Sequence, residues 1–172
     1  IDIARRRAPE AEFRVGSLFE ADIPPCEAVT AIGEVLNYLF EPDNVRERLV
    51  SLFRRIYGAL APGGVFVFDV AEPGQIPPGT TTRGFSEGED WVVLIEKEED
   101  TEWRTLTRRI SSFRKVGEHY RRDDEVHRQR LYEASEIAGE LRGVGFQART
   151  MRSYGRYSLP RSHAAFVARK PA

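Results

Sequence analysis

The chain has 172 residues, a formal net charge of -1, 41% hydrophobic residues and 31% charged residues, an ordinary balance for one globular domain. The near-neutral charge gives no electrostatic case for nucleic acid or an anionic membrane as partner, and 23 Arg against 3 Lys reads as coding-sequence base composition. The single cysteine, Cys26, excludes an internal disulfide and a thiolate metal cluster. No apolar run approaches the roughly 18 residues needed to span a bilayer, and no secretory signal is visible, so the cytoplasm is the expected compartment.

In chain order, 1–8 reads as a helix stopped at Pro9. Ala11 to Val15 alternates around Phe13 and predicts a short strand ending at Gly16-Ser17. Glu27 to Gly33 is apolar between Pro24-Pro25 and Gly33, the mark of a strand buried on both faces. Pro42-Asp43-Asn44 predicts a helix start capped by Asp43 or Asn44. Val45, Leu49, Phe53, Ile56, Tyr57 and Leu60 give that helix one apolar stripe, and Ala61-Pro62-Gly63-Gly64 stops it. Val65 to Val70 predicts a second buried strand with Asp69 near its end. Strands of this kind linked by amphipathic helices imply a mostly parallel sheet covered on both faces.

Residues 71–83 hold three Pro and two Gly and predict a loop. Trp91 to Lys97, Trp103 to Val116 and Glu118 to Tyr132 are long, charged and alternating, which predicts an inserted antiparallel meander over 84–132. Its arginines are interleaved with Glu98, Glu99, Glu118, Asp123, Asp124 and Glu125, as on a solvated, ion-paired sheet face. Ser135 is positioned to cap a last helix that ends near Gly143 and Gly145, and 147–154 with 163–169 predict a final strand pair. His119 and His127 stand too far apart along one strand to chelate a metal together, and no metal site is expected.

Three blocks carry a resemblance. They are Gly16-Ser17-Leu18-Phe19 followed by Ala28 to Leu39 (AVTAIGEVLNYL), Leu60 to Asp69 (LAPGGVFVFD), and Leu141 to Phe146 with Ala165 to Pro171. In order and spacing the chain resembles class I S-adenosylmethionine-dependent methyltransferases of the small-molecule type. The resemblance implies an α/β Rossmann-like seven-stranded sheet, mostly parallel with an antiparallel strand near its carboxyl end. It also implies that the glycine-rich loop, and the acidic residue that holds the ribose, lie upstream of Ile1. Asp2 leaves too short a helix before Pro9 to be that acid. Residues 1–172 are then a single methyltransferase domain lacking its amino-terminal strands.

By the same resemblance, Ser17 faces the adenine amino group and Leu18 packs on the adenine ring. Ile32, Gly33 and Glu34 line the methionine end of S-adenosylmethionine. Ligands of open α/β sheets gather at these carboxyl strand ends. Asn37 is expected to orient a substrate heteroatom and Tyr38 to wall the acceptor pocket. His163 is a candidate general base, having a pKa near neutrality. Tyr154 and Tyr157 are further candidates at the same mouth. The sequence IGEVLNY is not the N-P-P-[FY] pattern of amide and adenine methylation, which turns the reading toward a small-molecule acceptor, and the lack of an unmistakable base in the sequence favours a nitrogen or otherwise easily ionised nucleophile. The meander is assigned to a substrate lid or a homodimer contact. A non-catalytic methyltransferase-like subunit and another Rossmann-like nucleotide-binding enzyme are the competing readings.

Overall fold

The structure, a computed structural model, describes residues 1–40 and 46–172. The expected helix start at Pro42, its cap at Asp43 or Asn44, and Val45 lie outside the described residues.

The first helix, α1 (Asp2–Arg7), buries no residue. Ala11 to Val15 is not a strand. A strand needs a neighbour to take its N–H and C=O groups, and this segment pairs with none among the described residues.

Strand β1 (Cys26–Ala31), helix α2 (Arg46–Ala59) and strand β2 (Leu60–Ala71) follow, with β1 parallel to β2. The Pro-Gly-Gly turn lies in the first part of β2, where the register jumps between Cys26↔Leu60 and Ala28↔Val65. Gly64 is required there, because a Cβ would stand 2.8 Å from the Ala61 carbonyl oxygen and 2.9 Å from that of Glu27.

A four-stranded meander comes next: β3 (Thr81–Glu87), β4 (Trp91–Asp100), β5 (Thr105–Val116) and β6 (His119–Arg130). Part of the predicted 71–83 loop is therefore strand, because backbone pairing with β4 outweighs the exposed, Thr- and Gly-containing sequence of β3.

Helix α3 (Ala134–Val144) and strands β7 (Gln147–Met151), β8 (Ser153–Tyr154), β9 (Tyr157–Ser158) and β10 (His163–Arg169) complete the chain. Ser135 does not cap α3. Glu133 occupies the cap position and makes no side-chain bond there, while the Ala134 N–H donates to Glu72 at 3.2 Å. A carboxylate from a distant element thus does the capping, and it also suits the helix dipole. Gly145 ends α3 in a left-handed conformation (φ 114°).

The main sheet has the order β1-β2-β10-β7, with β10 antiparallel to both neighbours. Residues of one parity, Phe66 and Phe68 of β2 and Phe166 of β10, meet Leu49, Phe53 and Ile56 of α2 and Ile137 and Leu141 of α3 in the main core. The rings of Phe66, Phe68 and Phe166 stack in series, at 4.4 and 4.9 Å between centroids. This row is the second-strand and helix-stripe pattern read from the sequence.

The prediction that Glu27–Gly33 is buried on both faces does not hold for the described residues. Val29 and Ala31 pack on the core, whereas Ala28 and Thr30 of the opposite parity are exposed. In register, the inward pair lies beside Phe66 and Phe68, so β1 is covered on that face.

Candidate functional site

The site is built where β1 ends against β2. Gly33 (φ 89°) and Glu34 (φ 57°) are successive left-handed residues, a conformation that glycine tolerates and that costs a glutamate side chain energy. The buried carboxylate of Asp69 holds this turn. It accepts from the Gly33 N–H at 3.0 Å and the Glu34 N–H at 2.5 Å, and the Tyr154 hydroxyl donates to its other oxygen at 2.9 Å. Burial, with the Asp69 carboxylate beside it, pushes the Tyr154 hydroxyl well above the usual phenol range, so it keeps its proton and acts as a donor.

The turn projects the Glu34 side chain into the interior. One of its oxygens lies 2.6 Å from His163 Nε2. The other accepts from Gln129 Nε2 at 3.3 Å and Arg108 Nη1 at 3.4 Å. The hydrogen bond from His163 holds the Glu34 carboxyl down at about 2, against the opposing effect of burial. The same bond raises the His163 pKa, helped by the Arg161 carbonyl at 2.9 Å from Nδ1. His163 is therefore held toward its protonated form with both ring nitrogens occupied. The candidate general base of the sequence reading thus has partners on both ring nitrogens.

Asn37 is fully buried. Both amide hydrogens go to backbone carbonyls, of Ala71 at 3.0 Å and Arg130 at 2.6 Å, and its oxygen accepts from the Ala71 N–H at 3.1 Å. It ties the end of β2 to the last residue of β6 and has no amide hydrogen left to orient a substrate atom. Tyr38 bridges to Gln129 in the backbone. Its ring stacks on Phe40 at 4.9 Å and meets the edge of His127 at 5.6 Å.

Ser17 caps its own turn: Oγ accepts from the Phe19 N–H at 3.1 Å. Leu18 and Phe19 pack on the main core together with Val35, and Arg55 of α2 donates to the carbonyls of Phe19 and Ala21. Ile32 remains 49% exposed, and the space around the Cα of Gly33 is open.

Beside His163 lies a cleft of about 510 Å³. Pro160, Arg161 and His163 form one wall, Gln75 and Ile76 a second, and Thr82, Ile95 and Lys97 of β3 and β4 a third. The second wall is fixed by the buried carboxylate of Glu99, which accepts from the N–H groups of Gly74, Gln75 and Ile76 at 2.8 to 3.0 Å.

The structure thus brings Gly33, Glu34 and His163 together, places Asn37 beneath them and Tyr38 at the junction with the meander. Arg108 and Gln129 were missed by the sequence reading. Leu106 is the buried residue of β5, and Arg108 shares its parity, which is the signal that one meander arginine points inward. The solvated-face reading holds for Arg109, Arg121 and Arg122, which are exposed and paired with acids. It fails for Arg108, whose side chain is 16% exposed.

Among the described residues, no three His, Cys, Asp or Glu side chains gather as a metal-binding group, and no helix is long and apolar enough to cross a membrane.

No protein-family model matches the chain. It is 30% identical over 122 residues to the Bacillus subtilis (strain 168) protein named "Putative methyltransferase YqeM", an alignment covering 70% of the chain and 48% of that protein. The chain thus spans about half the length of the curated relative it matches. In structure it resembles an S-adenosylmethionine-dependent methyltransferase from Clostridium acetobutylicum ATCC 824, with TM-score 0.77 and 18% identity, over 99% of this chain and 70% of that one. It also resembles CalS10, an amino pentose methyltransferase from Micromonospora echinaspora solved with S-adenosylmethionine bound, with TM-score 0.73 and 17% identity, over 98% and 69%. These likenesses show that the chain has the S-adenosylmethionine-dependent methyltransferase fold.

Proposed function

We propose that this chain, having the methyltransferase fold, belongs to an enzyme that transfers the methyl group of S-adenosylmethionine to a nitrogen of a small-molecule acceptor. One observation carries the reading. Within that fold, the open left-handed turn at Gly33, gripped by Asp69, sits at the carboxyl end of β1 and borders the exposed Ile32. This is where ligands of open α/β sheets lie. The residues present suit the methionine end of the cofactor. Backbone with no Cβ allows close approach, and Ile32 offers an uncovered apolar surface.

When bound, S-adenosylmethionine supplies an electrophilic methyl group. The chain aligns and desolvates. Asp69 and Tyr154 fix the Gly33–Glu34 backbone. Glu34, His163, Arg108 and Gln129 form a rigid polar floor joining the main sheet to the meander, and β3 and β4 shield the adjoining cleft. Because both ring nitrogens of His163 already have partners, in Glu34 and the Arg161 carbonyl, no free base stands out among the residues of this floor. An amine, which enters such a reaction with its own lone pair, fits that floor better than a hydroxyl. The likeness to an amino pentose methyltransferase supports an acceptor that carries an amine.

Isothermal titration of the full-length protein with S-adenosylhomocysteine tests the reading. Saturable one-to-one binding is expected, weakened at least about tenfold by Gly33→Val, because a β-branched residue is strained at φ 89°. A folded full-length protein that does not bind it would overturn the proposal.

A further inference from the structure

The cleft beside His163 has a charge pattern that the methyl-transfer reading does not use. Its lining holds Arg83, Lys97 and Arg161 and no carboxylate. Arg83 is offset by Glu96 at 2.8 Å. Lys97 is not offset. It is half-buried and lies directly across the β4–β5 ladder from Arg108, an arrangement of like charges that costs energy. The Arg108 charge is spent on Glu34. Among the described residues, neither the Lys97 ammonium nor the Arg161 guanidinium has an ion pair or side-chain hydrogen bond, and both face the same concavity. The rest of the lining combines apolar Ile76, Ile95 and Pro160 with the rigid Gln75 wall. Its volume suits a small organic molecule.

We propose that the acceptor is a small anion whose phosphate or carboxylate group is held by Lys97 and Arg161 while its nucleophile turns toward Glu34 and His163. The inference rests on the methyl-transfer reading for the acceptor's fate, but not for its charge. An oxyanion here gives two unpaired cations charge-assisted hydrogen bonds. The apolar wall then carries the body of the molecule.

The test is a titration of the full-length protein, labelled for 1H–15N spectroscopy, with inorganic pyrophosphate and separately with succinate at constant ionic strength. The expected result is saturable shifts at the amides of Gln75, Lys97 and His163. Binding should weaken about tenfold in both Lys97→Gln and Arg161→Gln, as loss of a charged hydrogen bond predicts, and should be unchanged in Arg142→Gln on α3. Whichever probe binds tighter names the oxyanion. Shifts spread over the exposed arginines of β5 and β6, or binding indifferent to both substitutions, would overturn the inference. S-adenosylhomocysteine is titrated into the same samples. Its binding without anion binding removes this inference alone, whereas saturable anion binding without it removes the methyl-transfer reading and leaves the anion site standing.

Discussion

Replacing Glu34 by Gln keeps the shape of the side chain and removes its charge. His163 and Arg108 then face each other without the carboxylate between them. The drop of the Glu34 carboxyl from 4.5 to about 2 corresponds to about 3 kcal/mol of preferential binding of the charged form. Water still reaches 19% of the side chain, which reduces the expected loss to about 2 kcal/mol. For a domain of this size that is a fall in Tm of about 4–8 °C.

The loss depends on pH in a defined way. Glu34 has a depressed folded-state pKa, so its contribution is present above 4.5 and disappears as pH falls toward 2. His163 has a raised folded-state pKa. Its contribution is complete below its ordinary value of 6.5 and disappears as pH rises through the folded-state value. The difference in unfolding free energy between wild type and Glu34→Gln should therefore be greatest between about pH 4.5 and 6.5 and shrink on both sides. Urea denaturation across pH 3 to 9 measures it. A difference that is flat with pH, or absent throughout, refutes the ion-paired floor.

Two further outcomes follow from the packing. Asn37→Ala removes three side-chain hydrogen bonds, two to Ala71 of β2 and one to Arg130 at the end of β6, and should cost about 2–3 kcal/mol. Hydrogen exchange should quicken at the Ala71 amide, while the Arg130 amide, bonded to the Asn37 backbone carbonyl at 2.7 Å, stays protected. Gly64→Ala forces a methyl against the carbonyls of Ala61 and Glu27 and should cost about 1–3 kcal/mol. Chemical denaturation checks it, with Gly58→Ala, where a Cβ meets nothing within 4 Å, as the stable control.

Much of the frame was legible before any coordinates. The stripe Leu49, Phe53 and Ile56, the run Val65 to Val70 and the Gly145 stop reflect local periodicity and backbone sterics, and the folded chain uses them as read. The errors fell where an element depends on a remote partner. Ala11 to Val15 has the alternation of a strand but pairs with no neighbour among the described residues. Thr81 to Arg83 has the composition of a loop but is drawn into a sheet by β4. Ser135 has the chemistry of a cap, yet Glu72, far off in the chain, reaches the helix end first.

The candidate site divides the same way. The resemblance to methyltransferases, with the order of residues along the chain, put forward Gly33, Glu34, Asn37, Tyr38 and His163 as candidates. Only the tertiary structure decided what those groups do. It set Glu34 against His163, turned Arg108 inward, and spent the Asn37 amide on backbone carbonyls. Protonation and hydrogen-bonding capacity are properties of neighbours in space, and the neighbours of Glu34 are separated from it by 74, 95 and 129 residues of chain.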